Sequence, residues 1–114
     1  MINAIFSKSL SGRIRLKITG HASADEEGGA LVCAAASSVF YALSGYLYNF
    51  CNDSLRVYAL ENGHADIECG VEGEEAMKFT LLGLWQIYMG YPEHIRIENR
   101  AFRWKMVDRI DASV

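Results

Sequence analysis

From Arg13 to Thr19 the chain alternates without a break: Ile14, Leu16 and Ile18 fall on one side, Arg13, Arg15, Lys17 and Thr19 on the other. Successive side chains of a strand point to opposite faces, so this pattern commits the segment to a sheet with one buried and one wet face. A helix would scatter the same residues around its circumference. Ile2 to Ser7 repeats the pattern with Ile2, Ala4 and Phe6 together, and Ser9-Leu10-Ser11-Gly12 supplies a turn. The opening is therefore predicted to be a β-hairpin.

Gly20 ends the second strand, and residues 21–29 (HASADEEGG) read as a polar, acidic, glycine-bearing loop. The apolar, small-residue stretch from Leu31 or Val32 to about Asn49 is too long for a strand, and its alanines favour helix. Leu55 to Glu61 alternates again, Asn62-Gly63 is a hairpin turn, and Ala65 to Val71 returns with Ile67, Cys69 and Val71 on one face. Gly73 and the acidic pair Glu74-Glu75 suit the start of a second helix. It runs to about Met89, carries Ala76, Phe79, Leu82, Gln86 and Ile87 along its sides, and is stopped by Gly90 and Pro92. His94 to Glu98 reads as a last short strand.

The order ββαββαβ predicts an α/β fold of the α+β type: a mainly antiparallel sheet with two helices packed on it. Residues 1–98 form the predicted domain, and 99–114 a C-terminal extension that packs on the domain or contacts a partner subunit. In that extension Arg100, Arg103, Lys105 and Arg109 are interleaved with Phe102 and Trp104, a pattern also found in RNA-contacting segments. The formal net charge of −3 argues against a nucleic-acid partner.

A length of 114 residues supports one core, and 51% apolar residues are enough to fill it. The start of the chain lacks the pattern of a secretory signal, and no apolar run approaches the roughly 20 residues of a bilayer span. Cys33, Cys51 and Cys69 are odd in number, widely spaced and without C-x-x-C, so they are read as reduced thiols of a cytoplasmic protein. Neither metal-ligand spacing nor a phosphate-binding glycine loop is present, and no cofactor is expected.

One histidine, His21, closes a predicted strand, and one cysteine, Cys33, opens a predicted helix. In thiol catalysis the nucleophile is the thiolate, which a helix N-terminus favours through free N–H groups and the positive end of the macrodipole. An imidazole beside it accepts the thiol proton and later protonates the leaving amine. The first helical N–H groups are candidates for an oxyanion hole. A cysteine followed by alanines is also a common core residue, and a histidine at a strand end a common surface one. His64 and His94 are expected to lie outside any site, Cys51 and Cys69 to be core thiols. Tyr41, Tyr46, Tyr48 and Phe50 are expected to fill a core or a subunit interface.

Gly20-His21-Ala22, Gly28, the run Leu31-Val32-Cys33-Ala34-Ala35 and Ser37 together resemble the signature of the ribosomal-processing cysteine protease (Prp) family. The likeness extends through Asn62-Gly63 to Tyr91-Pro92 and so covers about residues 1–97. It implies a cysteine endopeptidase that removes the N-terminal extension of a large-subunit ribosomal protein. His21 would be general base and acid, Cys33 the nucleophile of an acyl-enzyme, and Ser37 a residue positioning substrate or histidine. Gly20, Ala22 and Gly28 would shape a loop, residues 22–32, that orders around the substrate peptide. The resemblance also implies a homodimer.

The family's aspartate three residues before the cysteine is Ala30 here. Asp25, Glu26 or Glu27 is available to replace it, or these are simply solvated loop charges. The alternatives are an attenuated relative that binds a ribosomal protein or assembly factor without cleaving it, and a thiol enzyme of another class, such as an acyl transferase.

Overall fold

The computed structural model describes residues 1–105. Five strands and two long helices follow in the order β1 (Ile2–Lys8), β2 (Ile14–Thr19), α1 (Gly29–Phe50), β3 (Arg56–Glu61), β4 (His64–Cys69), α2 (Glu74–Gly90) and β5 (Ile95–Arg100). A 3₁₀ turn over Val71–Gly73 leads into α2. The strands form one sheet in the order β3-β4-β2-β1-β5, and every pairing is antiparallel except β1 with β5. This is the predicted ββαββαβ fold, with its one parallel pair at the edge.

The period-2 residues decide which face is buried. Ile2, Ala4 and Phe6 of β1, Ile14 and Leu16 of β2, and Ile67 and Cys69 of β4 all point into one core. Helix α1 contributes Val32, Ala36, Phe40, Leu43 and Leu47 to it, and α2 contributes Met77, Leu81 and Leu84. Both sets recur at three or four residues, which is the apolar stripe a core helix requires. By length and composition alone α1 is also apolar enough to cross a membrane, more so than its sequence suggested.

The opposite sheet face is polar. The Arg15 guanidinium meets the Asp66 carboxylate through two hydrogen bonds of 2.7 Å and stacks over the Tyr58 ring, 4.3 Å from its centroid. Arg15 holds the Asp66 carboxyl below the usual aspartate range, against the opposing effect of burial. The Tyr58 hydroxyl donates to Glu68, which also pairs with Arg13 at 3.1 Å.

Three expectations change. Helix α1 begins at Gly29, earlier than expected. Val71 leaves the sheet and sits exposed in the 3₁₀ turn. On α2, Phe79 and Leu82 are exposed, whereas Met77, Thr80, Leu81 and Leu84 are buried. Residues 79 and 82 belong to a second helical row, and the turn at Val71–Gly73 delivers the other row to the sheet. At the C-terminal end the Asn99 side chain accepts hydrogen bonds from the N–H groups of Ala101 and Phe102 and turns the chain. Trp104 then rests edge-on against Trp85 of α2, with ring centroids 5.2 Å apart. Arg109 lies outside the described residues.

Candidate active site

The end of β2, the first turns of α1 and the β3–β4 hairpin enclose a cleft of about 190 Å³. Its lining includes Gly20, His21, Cys33 and Ser37, with Ile2, Ile18, Ala36, Phe40 and Ala65 as apolar floor. Cys33 and Ser37 are one helical turn apart and so lie along the same side of α1.

His21 is fixed from the backbone outward. The Gly20 N–H donates to the Gly63 carbonyl at 3.0 Å, and the His21 carbonyl accepts from the Met1 nitrogen at 2.6 Å. Gly20 adopts φ +89°, and any β-carbon there would lie 2.2 Å from the Met1 carbonyl oxygen. Only glycine fits that position. The imidazole itself lies against Gly63, whose missing β-carbon would sit 2.4 Å from Nε2. The Asn62-Gly63 turn is thus the backstop of the histidine as well as a hairpin connection.

Cys33 is half-buried and free. Its thiol donates to the Ala22 carbonyl at 3.4 Å, so the sulfur is tied to the loop residue beside His21. Because α1 begins at Gly29, Cys33 is in the second turn rather than at the very start. The macrodipole is felt mainly within the first turn, so it contributes less here than the sequence suggested. Ala22 is buried in the core beneath this contact.

The other predicted residues divide by side. Gly28 caps α1 with φ +81° and abuts the Tyr91 ring. Gly28 and Ala30 line a neighbouring groove with Glu26, Glu27 and Glu93, on the far side of the loop from the cleft. Neither Asp25, Glu26 nor Glu27 lines the cleft. The carboxylate that does is Glu61, 3.6 Å from His64 Nδ1.

Of the other two histidines, His64 differs from expectation and His94 lies outside the cleft. His64 borders the cleft, because the β2–β4 register sets it opposite Thr19, two residues before His21. Strand alternation groups it with Asp66 and Glu68 on the polar face. His94 is buried, its Nε2 2.7 Å from the Glu27 carbonyl and its Nδ1 3.8 Å from a Glu26 carboxylate oxygen. It ties the C-terminal end of the mobile-looking loop sequence to the start of β5. Cys51 and Cys69 are buried, and burial pushes the Cys69 thiol up to about 11. These two are inert core thiols. Tyr41, Tyr46, Tyr48 and Phe50 are exposed in the single chain, and Tyr41 lines the far end of the cleft with Leu60.

An imidazole and a thiol opening onto one cleft can perform acyl transfer, with His21 accepting the Cys33 proton and returning it to a leaving amine. Comparison with known proteins meets this geometry. Residues 1–96 match the family model described as cysteine protease Prp. Two solved structures of the ribosomal processing protease Prp from Staphylococcus aureus are similar. One holds a covalently linked product peptide (24% identity, TM-score 0.74), the other a substrate peptide (23%, 0.75). Each alignment covers 88% of this chain and 100% of the other. SMU.848 from Streptococcus mutans is also similar, at 24% identity and TM-score 0.65 over 88% of this chain and 94% of that one. No curated protein matches.

Proposed function

The chain belongs to the cysteine protease Prp family, and from that premise we propose that it removes the N-terminal extension of a large-subunit ribosomal protein, with Cys33 as nucleophile and His21 as general base and acid. The observation that carries this reading is the shared cleft of His21, Cys33 and Ser37.

A peptide entering the cleft displaces the Ala22 carbonyl from the thiol. The Cys33 proton passes to His21, and the sulfur attacks the scissile carbonyl carbon. The tetrahedral intermediate collapses as His21 gives its proton to the departing amine. Water, deprotonated by the same imidazole, then attacks the thioester, and the thiol leaves with its proton restored. Ser37, a turn from the sulfur along the same cleft, would hold the peptide or the imidazole, the role the resemblance implies. Ala30 lines the neighbouring groove and not the cleft that holds His21 and Cys33. The resemblance also leads us to propose a cytoplasmic homodimer.

The test is mass spectrometry of a peptide spanning the N-terminal extension of the same organism's large-subunit ribosomal protein, incubated with the reduced enzyme. One new cleavage, lost in Cys33→Ser, is expected. An intact peptide that still binds would replace this reading with the non-cleaving relative.

A further inference from the structure

The cleft does not end at the catalytic pair. Along α1 it passes Cys33, then Ser37, then Tyr41, each one turn beyond the last. Leu60 of β3 lines the same cleft as Tyr41. Leu60 pairs with Ala65, and Val57 with Ile67, so both point to the helix side of the sheet. Yet Leu60 is 53% exposed and Tyr41 63% exposed, because α1 leaves the edge strand β3 uncovered. Both therefore add exposed apolar surface to the cleft that holds the thiol.

Its dimensions select the occupant. Eight residues of helix from Cys33 to Tyr41 rise about 12 Å. An extended peptide advances about 3.3 Å per residue, so it covers that distance in three or four residues. The whole cleft, about 190 Å³, is little larger than the roughly 150 Å³ cavities that take up a benzene ring. It admits individual side chains and leaves the peptide backbone over its mouth.

We propose that Tyr41 and Leu60 are a specificity-determining pair that clasps an apolar side chain three or four residues from the scissile bond. This rests on the protease reading and names a requirement of its substrate. Tyr41 and Leu60 do not touch the reacting atoms. They contribute to binding, and their loss registers in KM rather than kcat.

The experiment takes the ribosomal-protein peptide above and replaces, one at a time, each of the four residues on either side of the cleavage point by Asp. Wild type, Tyr41→Ala/Leu60→Ala and the conservative Tyr41→Phe are compared. For the wild type, Asp at the third or fourth position on one side is expected to raise KM about 10-fold or more, the scale of one lost apolar side-chain contact. The double variant is expected to show that rise already with the unmodified peptide, to keep kcat within about two-fold, and to be indifferent to the Asp. Tyr41→Phe should behave as wild type. A double variant with unchanged KM, or one that keeps the full Asp penalty, would overturn the proposal while leaving the protease reading intact. Wild type that cleaves no peptide in the set would overturn both.

Discussion

The sharpest perturbation of the site is one methyl group. Replacing Gly63 by Ala puts a β-carbon 2.4 Å from His21 Nε2, where ordinary contacts begin at 3.4 Å, so the imidazole must retreat by about 1 Å. The ring is the far end of an exposed side chain and yields without unfolding the domain. The substitution carries a second, separable cost: Gly63 has φ +79°, and an L-residue in that region loses about 1–2 kcal/mol. Gly12 supplies the control, since it has φ +86° with nothing within 4 Å of its missing β-carbon. Gly12→Ala and Gly63→Ala should therefore lose similar stability, about 1–2 kcal/mol, seen as a fall in Tm of roughly 5–15 °C. Only Gly63→Ala should lose activity, on the order of 100-fold in kcat/KM for the ribosomal-protein peptide, the usual effect of a 1 Å misplacement. Gly63→Asn should recover part of the stability, because asparagine tolerates the left-handed region, and recover none of the activity. A Gly63→Ala enzyme that cleaves like the wild type would refute the claim that this turn positions His21.

Two further outcomes follow from contacts away from the cleft. His94→Ala removes the hydrogen-bond partner of the Glu27 carbonyl and should cost about 1–3 kcal/mol. Hydrogen exchange should quicken across residues 22–28, and unchanged protection there would show that His94 is not the tether. The Asp66 pair sets an acid limit: its carboxyl is held below the ordinary 3.8 by Arg15, so its stabilisation is complete above that pH and is lost as the pH falls through the lower folded-state value. In denaturation followed between about pH 5 and pH 2, Asp66→Asn should flatten part of the acid decline, and an undiminished slope would assign that decline to other carboxylates.

What the sequence disclosed follows the range of the interactions concerned. The alternation of Arg13–Thr19 settled β2 because a strand's faces are decided by nearest neighbours, and Asn62-Gly63 announced its turn for the same reason. Cys33, His21 and Ser37 were nominated by motif, and the cleft gathers all three. The place of β5 beside β1 was not legible, since that parallel pair joins the two ends of the described chain and has no local signature. The tether that His94 forms was not legible because its partner, Glu27, stands 67 positions away. Glu61 and His64 were passed over for a like reason: only the register of β4 against β2 brings the hairpin to the histidine. Phe79 misled because two apolar rows run along α2, and the choice between them is made by the turn that precedes the helix.

The pairing of β1 with β5 also sets when the cleft of His21 and Cys33 can form. Ile2, on its floor, belongs to a strand whose outer neighbour begins at Ile95, and the Ile2 N–H is held by the His94 carbonyl at 2.9 Å. On a translating ribosome at about 5–20 residues per second, β1 emerges many seconds before the strand that covers its edge. Until then the floor is unsupported, His94 cannot tether the loop, and the thiol has no formed cleft in which to meet an imidazole. The cleft is therefore complete only when the last strand of the sheet is in place, although the cysteine and the histidine both lie in the first third of the chain.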